Sequence, residues 1–152
     1  MQPAHPAPHT AHRLIMPTVV FLCVANAARS QMAEGLLRSR AGNRFEVFSA
    51  GTMASFVRPQ AIEAMKELAI DISAHRSKSL NEFIDEPFDY VITVCDHAAQ
   101  SCPVFPGDAK RIHWSIKDPV GIGDDEAQLE AFRVARDDLK NRIEKFIADE
   151  TA

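Results

Sequence analysis

At 152 residues, with 46% hydrophobic and 25% charged side chains, the chain fits one domain around a single core and lies outside the compositions of fibrous or membrane-embedded proteins. Its net charge of −4 gives no overall pull toward nucleic acid or an anionic membrane, so an anionic substrate would have to be attracted by local groups. Three cysteines, Cys23, Cys95 and Cys102, are an odd and small number, which excludes a disulfide framework and suits the reducing cytoplasm.

Residues 1–16 are rich in Pro and His and poor in core formers, which predicts a disordered extension ahead of a single domain over 17–152. Its histidines read as part of a floppy tail. The apolar stretch from Leu14 to Ala28, following Arg13, imitates a secretory leader with Ala25-Asn26-Ala27 as its cleavage site. Pro17 interrupts that stretch, hardly any positive charge precedes it, and cleavage would discard Cys23. The run also falls short of the roughly 20 residues that cross a bilayer.

From Thr18 to Val24 a continuous apolar run predicts a buried strand. Helical spacing over Ser30–Arg40 puts Met32, Ala33, Leu36 and Leu37 on one side. Phe45–Ser49 reads as a short strand closed by Gly51, and Pro59–Leu68 as a helix with proline in its first turn. A short helix over Leu80–Ile84 follows, then a buried strand over Tyr90–Val94 and a last strand over Lys110–Trp114. Glu126–Ala148 has the period of a long amphipathic helix, with Leu129, Phe132, Leu139, Ile143 and Phe146 facing the core. Strands alternating with helices imply an α/β fold, a parallel sheet with helices on both faces. Ligands of such sheets bind beyond the carboxyl ends of the strands. Cys23 and Cys95 both fall at such ends, on the same edge.

Cys23 ends the first strand and Arg29 opens the first helix. The five residues between them, Val24, Ala25, Asn26, Ala27 and Ala28, are small enough for the backbone to wrap a tetrahedral anion. Inward N–H groups and a helix amino terminus would hold its charge. Such surroundings suit a thiolate nucleophile at Cys23. Arg29 offers a planar fork for two oxygens, and Ser30 can donate a hydrogen bond to the thiolate. Asn26 tolerates a left-handed backbone. The bland alternative is a buried strand cysteine beside a surface arginine.

The run Cys23-Val-Ala-Asn-Ala-Ala-Arg29-Ser30-Gln-Met-Ala-Glu34-Gly resembles the active-site loop of the low-molecular-weight protein tyrosine phosphatase family, and most closely that of its thioredoxin-coupled arsenate reductases. Ser49-Ala-Gly-Thr52, Ile70-Asp-Ile-Ser-Ala-His75, the Asp118-Pro119 pair, and Cys95 with Cys102 extend the resemblance from about Thr18 to the carboxyl terminus. It implies a flavodoxin-like, four-stranded parallel sheet. The family loop usually carries Gly where Ala25 stands and often a second Cys where Ala28 stands. Some reductases resembling this chain hold a potassium ion near the loop. Asn26, Glu34 and Ser49 match three of its ligands, while Lys78 replaces an acidic fourth. No potassium and no other metal or cofactor is therefore expected: the Lys78 ammonium takes the cation's place, or else Lys78 is a solvated surface residue.

The resemblance makes Asp118 the acid that protonates a leaving oxygen, a role commonly contributing about 10²–10⁴-fold. A phosphatase needs Cys23 alone, whereas reduction of arsenate to arsenite needs two electrons. Cys95 is assigned the attack on arsenic-bound Cys23, and Cys102 the attack on Cys95 that carries the disulfide outward. Thioredoxin is the expected reductant. If residues 95–102 were helical, the two Cα atoms would lie roughly 10.5 Å apart, beyond the ~7 Å a disulfide tolerates, so the segment would have to unwind. The alternatives are a tyrosine phosphatase, against which Val120-Gly121 stands where phosphatases carry paired tyrosines, and a non-catalytic oxyanion or metalloid sensor. His75, Tyr90 and Trp114 read as structural, and Asp124 to Glu126 as a helix start.

Overall fold

The computed structural model describes residues 16–151, so the predicted disordered extension falls, but for Met16, outside the described residues. The four apolar runs form one parallel sheet. Its strands are β1 (Thr18–Cys23), β2 (Glu46–Gly51), β3 (Tyr90–Thr93) and β4 (Lys110–His113), arranged in the order β2-β1-β3-β4. β1 runs through the centre, with Val19, Val20, Phe21 and Leu22 all buried. A strand covered on both faces has no polar side to alternate, which is why it reads as a continuous apolar run.

Four α-helices complete the fold: α1 (Arg29–Ala41), α2 (Pro59–Lys66), α3 (Asp96–Gln100) and α4 (Asp125–Thr151), with a 3₁₀ turn at Leu80–Glu82. α1 and α2 both pack on α4. On that side Phe146 of α4 meets Phe45, Tyr90 and Trp114, and Trp114 meets Phe21. Val20 pairs with Phe48 in the sheet, so Phe48 faces the other way. There it joins Phe83 and Phe88, the latter in contact with Phe105. Leu129 is only partly buried, while Phe132, Leu139, Ile143 and Phe146 lie in the core as their spacing predicts.

Two elements differ from expectation. β2 does not stop at Ser49 but runs through Ala50 and Gly51, because Gly51 stays in register with Cys23. α3 forms where the chain-order reading assigns no element: five residues, with only Ala98 buried, carry too little periodicity to be read. The chain leaves β1 for β2 on one side and returns to β3 on the other. The carboxyl ends of β1 and β3 therefore flank the switch point where such sheets bind ligands.

Candidate active site

At that switch point every carbonyl of the loop is engaged by surrounding protein. Cys23 O accepts from Thr52 N (3.2 Å), Val24 O from Met53 N (3.0 Å), Ala27 O from Arg58 N (2.9 Å) and Ala28 O from Met32 N (3.0 Å). Ser77 Oγ donates to Ala25 O at 3.0 Å and Gln31 Nε2 to Asn26 O at 3.1 Å. A peptide N–H points opposite its carbonyl. Outward carbonyls therefore turn amides inward, into the concave arrangement that holds anions. Asn26 adopts the left-handed backbone its side chain tolerates, at φ 49°. Gly51 passes directly behind: a Cβ there would lie 2.4 Å from Val24 O and 2.7 Å from Asn26 N, so no side chain fits.

The buried side chains under the loop form a directed chain of hydrogen bonds. Asn26 Nδ2 donates to Ser30 Oγ (2.8 Å) and Ser49 Oγ (2.9 Å). Ser30 Oγ and Cys23 Sγ are hydrogen-bonded at 2.8 Å, and the Ser30 hydroxyl is the donor when Cys23 is a thiolate. Asn26 Oδ1 accepts from Gln31 Nε2 and from Lys78 N, both at 2.8 Å. Gln31 Oε1 in turn accepts from His75 Nδ1 at 2.9 Å. Burial pushes the His75 pKa down, against the opposing pull of Glu34. Glu34, itself buried, accepts from Ser49 Oγ at 2.5 Å and pairs with Arg38 at 2.7 Å, with the Lys78 ammonium 3.8 Å away.

Above the loop lies a cavity of about 200 Å³ lined by Cys23, Ala25, Arg29, Arg58, Asp118 and Val120 among others. Arg29 Nη1 donates to Ile116 O at 2.9 Å and Nη2 stands 3.7 Å from Asp118 Oδ2. Asp118 also caps its own turn by accepting from Val120 N at 3.0 Å. A larger, open depression along α2, lined by Pro59, Ile62, Glu63, Lys66 and Glu67, contains no cysteine.

All three cysteines are free. Cys23 and Cys95 are buried, at the ends of neighbouring strands. Cys95 is the N-cap of α3 and its Sγ accepts from Ala98 N at 3.3 Å. Burial pushes its thiol pKa up, opposed by that N–H and by the Arg29 charge. Cys102, half-buried, is held by Arg111: Nη1 donates to its Sγ at 3.1 Å and Nη2 to Pro103 O at 2.6 Å. The other end of α3 is tied to β4, where His113 bridges Asp96 Oδ1 (2.8 Å) and Thr93 Oγ1 (2.7 Å). His113 and Ser115 hold the Asp96 carboxyl below its ordinary range.

A strand, an anion loop and a helix with Cys and Arg at its two ends coincide with a family match. Residues 18–151 match the model of the low molecular weight phosphotyrosine protein phosphatases. The chain belongs to that family. Within this phosphatase family it is 42% identical to an arsenate reductase of Halalkalibacterium halodurans over 129 residues, which is 84% of this chain and 93% of that protein. A solved arsenate reductase in its oxidised state superposes with a TM-score of 0.76 at 34% identity, over 88% of this chain and 98% of the other. A thioredoxin-dependent arsenate reductase of Corynebacterium glutamicum superposes at 0.68 with 33% identity, over 88% of this chain and 61% of the other.

The fold brings Cys23, Arg29 and Asp118 to the lining of one cavity, with Ser30 buried beneath the loop against Cys23 and Cys95 at the end of the neighbouring strand. Cys102 stands apart, separated from Cys95 by α3. Lys78 is not a solvated surface residue: only 11% of its side chain is exposed. Among the described residues no cluster of His, Cys, Asp or Glu could hold a metal. Sequence reasoning missed Gln31, Ser77, Arg58 and Arg111. Gln31 alone left a trace, as a polar residue beside the buried stripe of α1.

Proposed function

We propose that this chain is an arsenate reductase working through Cys23, Cys95 and Cys102, with thioredoxin as its reductant in the cytoplasm. The observation that carries the reading is the second buried thiol: Cys95 sits beside the nucleophile at the neighbouring strand end, where a phosphatase needs nothing. Arsenate enters the loop and Cys23 Sγ attacks arsenic. The arsenic–oxygen bond opposite breaks, and Asp118 protonates the departing hydroxide to water while Arg29 holds two of the remaining oxygens. The Cys95 thiolate then attacks Cys23 Sγ. The sulfur–arsenic bond breaks with its electron pair going to arsenic, which leaves as arsenite, reduced by two electrons; the two sulfurs, oxidised, are joined. Cys102 attacks Cys95 in an exchange that returns the electron pair to Cys23. With α3 helical between them, Cys95 and Cys102 meet only when that helix unwinds.

The test is free thiols per chain by mass spectrometry, before and after excess arsenate is added to fully reduced protein. Loss of two thiols and a Cys95–Cys102 bond, absent in Cys95→Ser, is the expected result. Three thiols untouched by arsenate would leave a phosphatase, or a sensor if aryl phosphates also survive.

The same reading gives Lys78 the place of a potassium ion. Its ammonium stands near Glu34 and donates to Arg76 O at 2.7 Å, and the Asn26 and Ser49 oxygens are already engaged within the protein. Potassium in place of sodium should leave the rate unchanged; a several-fold activation would overturn this.

A further inference from the structure

Arg58 stands at the amino-terminal end of α2, and its backbone N–H is bonded to the oxyanion loop at Ala27 O (2.9 Å). Its side chain lines the same cavity as Cys23, Arg29 and Asp118. Arg29 serves the floor of the loop, and the other nearby arginines are committed to carboxylates, Arg38 to Glu34 and Arg76 to Glu82. The Arg58 guanidinium has no ion pair or hydrogen bond among the described residues, and its Nε is closed off from water without an acceptor. Buried donors are nearly always satisfied, and one that is not asks for an explanation. Arg58 also lies over the exposed Phe56 ring, with Cζ 4.9 Å from the centroid, a cation–π contact that occupies that face of the ring.

We propose that Arg58 is a specificity-determining residue of this pocket: its guanidinium binds the outward oxygen of a free tetrahedral dianion, and its stacking on Phe56 withholds that ring from aryl esters. The geometry of displacement leads to this assignment. Cys23 attacks from the floor of the cavity, so the group leaving opposite it points to the mouth, where Asp118 and Arg58 stand. An inorganic oxyanion presents a charged or hydroxylic oxygen there, matched to a guanidinium. A phosphate monoester presents its organic group in place of that oxygen, so it accepts no charge-assisted hydrogen bond from the guanidinium, and the Phe56 face under Arg58 is already taken. The inference rests on the oxyanion pocket of the proposed function and names the ligand class that its rim selects.

The experiment measures protection of Cys23 from iodoacetamide, followed on the Cys23 peptide by mass spectrometry, in the reduced full chain. The probes are inorganic phosphate and phenylphosphonate, and the proteins are the wild type, Arg58→Gln and Arg58→Lys. Loss of one charge-assisted hydrogen bond should raise the half-protecting phosphate concentration about tenfold in Arg58→Gln, with phenylphosphonate unchanged or tighter. Arg58→Lys should recover part of the phosphate affinity. Phosphate protection unmoved by Arg58→Gln, or both probes weakened equally, would overturn the assignment. No turnover is involved, so thiols unchanged by arsenate would sink the reductase reading and leave this measurement standing.

Discussion

Among single side chains, Cys95 carries the sharpest pH consequence. Burial holds it as a thiol above the ordinary value of 9.0, and only the thiolate attacks. The rate of arsenite release should therefore rise with pH and still be climbing at pH 9.0. Single-turnover arsenite release in Cys102→Ser, which stops at the Cys23–Cys95 bond, isolates that step; a plateau already reached by about pH 7 would contradict it. Residues close in sequence were the legible ones. Cys23, Asn26, Arg29 and Ser30 belong to one turn of chain, and their spacing sets their geometry. Arg58 and Arg111 were silent because their contacts, with the cavity and with Cys102, arise only when distant elements pack.

Among elements, α3 and α2 show opposite designs. α3 buries only Ala98, and its N-cap is Cys95 itself, so the sulfur that forms the disulfide is the one that caps the helix. A weakly anchored helix is what an unwinding step requires. α2 is instead clasped to α4. Glu67, just past its end, accepts from Arg133 and Arg136, and Arg136 also donates to Ala64 O at 2.8 Å. Those arginines, Arg133 first, hold the Glu67 carboxyl at about 2 instead of 4.5. A depressed carboxyl stabilises the fold above its unfolded pKa, and that contribution is lost as pH falls through the folded one. Urea midpoints should therefore drop as pH goes from 4.5 toward 2, and Glu67→Gln should flatten part of that drop. Equal slopes in the two proteins would show that the clasp contributes nothing.

At the scale of the molecule, alternation of buried runs and helical periods made the parallel sheet readable, because a strand covered on both faces is apolar throughout. The path of β2 past Ser49 was not readable, because it depends on Gly51 slipping behind a loop that exists only in the folded chain. The carbonyls of that loop are all held outward by the surrounding fold, so the cradle is set before an anion arrives. A rigid cradle sorts ligands by shape and charge, and phosphate matches arsenate closely in both. Discrimination between them then falls after binding: arsenic accepts the electron pair of its bond to sulfur, and phosphorus does not. Phosphate becomes an idle occupant, and protection of a cell by this protein would depend on the ratio of the two oxyanions more than on the amount of arsenate.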